Sequence, residues 1–158
     1  MKLVDLIEQQ VQYKIYCDMD GVLCDFEKQF IKFFKMSPDE YDAEYGRPAF
    51  WKAVDDAGVR YWAGMDWMPE GKKLWSYIEK YKPTLLTAPS YDDSSRIGKA
   101  VWRKKHLPGT PMKFKAAKNK ADFAAPNTIL IDDRVDTIND WNSRGGVGIL
   151  FKSTNQVI

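Results

Sequence analysis

The sequence predicts an α/β fold, a three-layer sandwich around a central parallel sheet of about five strands. Three observations carry this expectation. Short β-prone runs alternate with segments of helical period, the pattern of a parallel sheet whose crossovers are helices. Two of those runs end in acidic clusters, Asp18-Met19-Asp20-Gly21 and Asp132-Asp133-Arg134. Finally, 158 residues of which 44% are hydrophobic are enough for one unit with a real core and a small insertion.

Composition narrows the class. A formal net charge of +2 is compatible with a phosphate pocket but implies no general nucleic-acid surface. Two cysteines, Cys17 and Cys24, make no disulfide framework, which fits a reducing, cytoplasmic setting. Met1 to Gln12 carries Asp5 and Glu8 and does not read as a signal peptide. No window approaches the roughly 18 apolar residues of a membrane span, so a soluble protein is expected. Nothing sets an oligomeric state.

Leu3, Leu6, Ile7 and Val11 recur at helical spacing and predict a short amphipathic helix. The apolar run Tyr13 to Cys17 follows as a buried strand that stops at Asp-x-Asp-Gly. That tetrad reads either as ordinary turn chemistry or as paired carboxylates beyond a strand end, where a hard divalent cation would relieve their repulsion. Phe26, Phe30, Phe33 and Phe34 then keep a helical period, and Ser37-Pro38 caps another helix. Residues 41–68 are rich in aromatics, broken by glycines and Pro48, and show no strand alternation, so a small helical insertion is expected. Its Phe50-Trp51 and Tyr61-Trp62 pairs are either a lid or filler for a small helical core.

Pro69-Glu70-Gly71 opens a helix marked by Leu74, Trp75, Ile78 and Tyr81, and Thr84 to Thr87 is a second buried strand. Thr87, at the end of that strand, suits either a phosphate oxygen or the plain β preference of threonine. Ile97, Val101 and Trp102 mark the next helix, with Arg96, Lys99, Arg103, Lys104 and Lys105 on a solvated face. His106, the single histidine, ends that helix in a capping role. Met112 to Lys115 is a short third strand, and Lys118 and Lys120 follow it. Asn127 to Ile131 forms a fourth strand running into Asp132-Asp133, Ile138 and Trp141 continue as a helix, and Val147 to Phe151 is the last strand.

Strands linked by helical crossovers share one carboxyl edge, so Asp18, Asp20, Thr87, a lysine and Asp132-Asp133 converge. Acid-x-acid, hydroxyl, lysine and acid-acid in that order resemble the motifs of the haloacid dehalogenase-like phosphatase superfamily, over most of the chain. More narrowly, Asp-Met-Asp-Gly-Val-Leu-x-Asp-Phe, Phe50-Trp51, Thr87-x-Pro89, Lys99-x-x-Trp102 and Leu-Ile-Asp-Asp-Arg resemble the 5′(3′)-deoxyribonucleotidase family. The first and last of these motifs are the specific ones. The resemblance implies a Rossmann-like core over residues 1–26 and 69–158 and a small helical cap over 27–68.

It also implies roles. Asp18 would attack phosphorus to give an aspartyl-phosphate, and Asp20 would act as acid and then base, its backbone carbonyl helping to hold Mg²⁺. Asp18 and Asp133 would supply the metal's carboxylates, with Asp132 supporting them. Thr87 and the Ala88 amide would hold phosphoryl oxygens, and Lys120 would neutralise charge, with Lys118 as the alternative lysine. Phe26, Phe50 and Trp51 would contact the nucleobase, and Lys99 belongs to the substrate-binding set. Ala88 stands where the animal enzymes carry a serine, which removes one phosphate donor. The implied function is Mg²⁺-dependent hydrolysis of deoxyribonucleoside monophosphates, with a small-molecule nucleotide as partner and no membrane. Alternatives are a phosphatase for another small ester or a nucleic-acid 3′-phosphate, or a catalytically silent binding protein.

Overall fold

The runs Ile15 to Cys17, Thr84 to Thr87 and Thr128 to Asp132 are buried along their whole length, as apolar and β-branched sequence is when both faces of a parallel sheet are covered. The computed structural model describes residues 2–7 and 12–152. In chain order they form α1 (Leu3–Ile7), β1 (Lys14–Cys17), α2 (Phe26–Phe34), α3 (Pro38–Tyr45), α4 (Arg47–Ala57), α5 (Val59–Ala63) and α6 (Gly71–Ile78). There follow β2 (Thr84–Thr87), α7 (Asp93–His106), β3 (Met112–Phe114), β4 (Thr128–Asp132), α8 (Val135–Ser143) and β5 (Val147–Leu150). Short 3₁₀ stretches cover Glu79–Tyr81 and Ala117–Phe123. Val11, expected to extend the first helix, lies outside the described residues.

The five strands pair in the order β3-β2-β1-β4-β5, every pairing parallel, so the expected fold class is the observed one. Tyr16 of β1 lies opposite Thr84 of β2 and Leu130 of β4. The chain runs from β1 out to β2 and β3, then returns to the other side of β1 as β4. Such a reversal opens a crevice at the carboxyl edge between the two strands, where ligands of open α/β sheets bind. No helix among the described residues is long and apolar enough to cross a membrane.

Two compact units make up the chain. The first comprises residues 1–23, 67–88 and 110–158 and contains the sheet. On one face Tyr16, Leu86, Ala121, Leu130, Ile138 and Trp141 form a buried cluster, the Trp141 ring meeting Tyr16 edge-on at 5.5 Å. The second comprises residues 24–66 and 89–109. There Asp25 caps α2 by accepting the Lys28 N–H, and Ser37 caps α3 by accepting that of Glu40, with Pro38 in the first turn as expected. Phe30 and Phe50 stack at 4.7 Å in its interior, beside buried Tyr61 and Trp62.

Helix α7 differs from its sequence reading. Ser95, Gly98, Lys99 and Trp102 form the buried stripe, at spacings of three and four residues, while Ile97 and Val101 are exposed. Gly98 decides this: α5 approaches so closely that a Cβ there would lie 2.5 Å from the Trp62 Cβ. Trp102 Nε1 donates to the Met65 carbonyl at 2.9 Å, and Lys99 Nζ sits 4.8 Å from the Trp62 ring centre. The division read from sequence left residues 89–109 in the core; this packing groups them with the second unit.

Candidate active site

β1 and β4 together deliver the acids. The Asp18 N–H donates to the Ile131 carbonyl at 2.9 Å, which carries the β1–β4 ladder one residue past the strand and fixes the Asp18 backbone. Asp18 Oδ1 accepts the Met19 N–H at 2.8 Å and Lys120 Nζ at 2.9 Å. Lys120 comes from the 3₁₀ stretch after β3, is 3% exposed, and donates equally to Asp132 Oδ2 at 2.9 Å. The other oxygen of Asp132 accepts the Arg134 N–H at 3.0 Å. Carboxylate oxygens of Asp18, Asp132 and Asp133 lie within 4.8 Å of one another.

Asp133 is exposed as a residue, yet its carboxylate turns onto the Asp18 loop. A Cβ at Gly21 would stand 2.2 Å from Asp133 Oδ2, and Gly21 has φ +81°, so only glycine fits both the turn and the approach. In sequence Gly21 announces a turn after the acids; its service to an acid over a hundred residues away has no local signal.

Three carboxylates cluster here, two of them, Asp18 and Asp132, sharing the Lys120 ammonium, and the titration of Lys120, Asp132 and Asp133 reflects it. Burial alone would lower Lys120, but the charges of Asp18 and Asp132 overcome it and hold the ammonium above the usual lysine range. Burial, then the charge of Asp18, pushes Asp132 up to about 6 despite Lys120. Burial and the charges of Asp18 and Asp132 push Asp133 up to about 8. The cluster therefore carries negative charge that Lys120 does not balance. Hard carboxylate oxygens with unbalanced charge suit Mg²⁺. Because Lys120 and the Arg134 amide already occupy both oxygens of Asp132, Asp18 and Asp133 are the residues that would hold the ion.

Two results follow. Gly21→Ala should weaken Mg²⁺ binding roughly ten- to a hundredfold in calorimetry by displacing Asp133; unchanged affinity would contradict its assignment as ligand. The second concerns pH. The folded pKa of Asp133 lies above the unfolded value, so its proton stabilises the metal-free fold at low pH, and that contribution is lost as pH rises toward about 8. Mg²⁺, competing with this proton, should therefore raise Tm more above about pH 8 than below about pH 6.

The remaining expected site residues separate into groups. Asp20 is half-buried two residues beyond Asp18, with its Oδ1 buried. Thr87 is fully buried at the carboxyl end of β2, its carbonyl accepting the Lys115 N–H, and Ala88 follows it half-exposed. Lys118 is exposed, while Lys120 makes the carboxylate contacts. In the second unit the Phe26 ring lies 6.2 Å from Phe50 and 6.1 Å from Trp51. Phe50 is 2% exposed and packs as core, which leaves Phe26 and Trp51 as the half-exposed rings. Lys99 is fully buried beneath Trp62 instead of lying on a solvated face.

Solved structures with a similar fold include a protein assigned as a phosphatase from Clostridium acetobutylicum, at TM-score 0.57 and 13% identity, covering 89% of this chain and 85% of that one. An L-2-haloacid dehalogenase from Xanthobacter autotrophicus matches at TM-score 0.54 and 9% identity, over 87% of this chain and 76% of that one. The fold is that of the haloacid dehalogenase. A protein assigned as a phosphoglycolate phosphatase from Lactobacillus plantarum shares the haloacid dehalogenase fold at TM-score 0.53 and 14% identity, covering 87% and 86%. At such identities the likeness is one of fold. No family model and no curated protein sequence matches the chain.

Proposed function

We propose that this chain is a Mg²⁺-dependent phosphomonoesterase that works through a phosphorylated Asp18 and takes deoxyribonucleoside monophosphates. The observation that carries the reading is the Lys120 ammonium, 2.9 Å from both Asp18 and Asp132, whose carboxylates cluster with that of Asp133 at the carboxyl edge of the sheet. That constellation aims a carboxylate while leaving negative charge for a cation to match. When bound, Mg²⁺ supplies positive charge to the phosphoryl oxygens and shields them from the attacking carboxylate.

The residues divide the work. The Met19 amide and Lys120 fix the Asp18 carboxylate from one oxygen, so its orientation costs nothing at the moment of attack on phosphorus. An aspartyl-phosphate replaces one difficult displacement by two easier ones. Asp20 gives its proton to the departing sugar oxygen, then takes one from the water that hydrolyses the intermediate. Thr87 and the Ala88 amide hold phosphoryl oxygens. Asp132 keeps Lys120 in place through their 2.9 Å bond.

The nucleotide assignment rests on the motif resemblance and on the half-exposed rings Phe26 and Trp51. A panel of deoxyribonucleoside monophosphates, sugar phosphates and a 3′-phosphorylated oligonucleotide, each with Mg²⁺, tests it: the nucleotides should lead, and a faster sugar phosphate or oligonucleotide would replace them as substrate class. Trp51→Ala should lower kcat/KM for nucleotides roughly ten- to a hundredfold, the worth of one stacked base, while p-nitrophenyl phosphate keeps close to the parent rate. Equal loss on both substrates with a lower Tm would make Trp51 part of the second unit's core and remove it from substrate binding.

A further inference from the structure

A second concave feature lies at the amino edge of the sheet, the end of the strands away from Asp18 and Asp132. It is a groove of about 680 Å³ whose lining includes Tyr13, Lys14, Lys80, Tyr81, Lys82 and Asn127. Among the described residues no carboxylate lines it, and none forms an ion pair with Lys14, Lys80 or Lys82. Lys14 Nζ is tied to Thr84 Oγ1 at 2.5 Å, and burial and the charge of Lys113 hold it below the usual lysine range. Lys80 Nζ stands 5.2 Å from the Tyr81 ring centre, so an ammonium and an aromatic face are presented together.

The backbone here is also unusual. Lys82 (φ 53°) and Asn127 (φ 68°) adopt the left-handed conformation, which among the described non-glycine residues is shared only by Lys35. Glycine would take these turns at lower cost, yet both positions bring a polar side chain to the groove. The Asn127 carbonyl further accepts the Lys14 N–H at 2.8 Å, which joins the two walls. A cavity of this size suits a small organic ligand. Ammonium groups with no carboxylate partner among the described residues call for several negative charges, and the tyrosines call for a flat ring.

We propose that this groove is a second, noncatalytic site for a nucleoside di- or triphosphate, its phosphates on Lys14, Lys80 and Lys82 and its base against Tyr13 and Tyr81. The test titrates ATP, without metal, into the full chain and follows backbone amides by NMR alongside calorimetry. Amides of Lys14, Tyr81 and Asn127 should shift. The double variant Lys80→Ser, Lys82→Asn should bind about tenfold more weakly while keeping the parent Tm and hydrolytic rate, and Asp18→Asn should bind ATP as the parent does. Shifts confined to the Asp18 and Asp133 loops, or affinity untouched by the lysine changes, would overturn the proposal. Inorganic pyrophosphate binding as tightly as ATP would overturn it too, since the rings would then contribute nothing.

Discussion

If Asp18 is the proposed nucleophile, replacing it by Asn should yield a folded protein that no longer turns over phosphate esters. The amide oxygen can still accept the Met19 N–H and the Lys120 ammonium, so the loop keeps the two bonds that hold it. What disappears is the attacking charge, and loss of a covalent nucleophile typically lowers kcat by about 10⁴-fold or more. Stability should move the other way. The charge of Asp18 is among the causes that raise both Asp132 and Asp133, so its removal eases repulsion within the cluster. Metal-free Asp18→Asn should therefore melt no lower than the parent. A variant that hydrolysed p-nitrophenyl phosphate at anything near the parent rate would exclude Asp18 as nucleophile.

Lys120→Met should damage folding and catalysis together. The ammonium is 3% exposed and donates to both Asp18 and Asp132, themselves buried. Removing one member of a buried ionic set leaves the others uncompensated, at a cost of about 3–5 kcal/mol. For a chain of this length that corresponds to a fall in Tm of roughly 10 °C. The loss should shrink below about pH 6, where protonation of Asp132 and Asp133 removes the orphaned charge. Denaturant unfolding at two pH values reads this directly, and a pH-independent loss would mean that packing, not charge, holds Lys120. Lys118→Met, at an exposed position, should change stability by no more than about 0.5 kcal/mol.

The strand exits were legible because a parallel sheet writes itself plainly: apolar runs buried on both faces stop abruptly at Asp18, Thr87 and Asp132. The order of those strands places the three exits on one edge, so their convergence followed from topology. The choice between Lys118 and Lys120 was not decided by local pattern, since both lie in one basic stretch and only the turn of a 3₁₀ helix directs one of them inward. Helix α7 misled for a related reason. Its branched residues Ile97 and Val101 look like a core stripe, but the close approach of α5 over Gly98 selects the neighbouring stripe and buries Lys99. Phe50, which local pattern leaves open between a lid ring and core filler, is made interior by its stacking on Phe30. In each case a contact between distant segments outweighed the local pattern.

The covalent step is open to one direct measurement. On the proposed mechanism Asp20→Asn lacks the acid-base group, yet p-nitrophenolate leaves without needing a proton, so Asp18 should be phosphorylated but only slowly dephosphorylated. Rapid mixing of this variant with p-nitrophenyl phosphate and Mg²⁺ should give a stoichiometric burst of nitrophenolate, and borohydride added at its end should convert Asp18 alone to homoserine, read by peptide mass spectrometry. Nitrophenolate release at the parent's steady rate without a burst, or reduction at a carboxylate other than Asp18, would contradict an aspartyl-phosphate at this position.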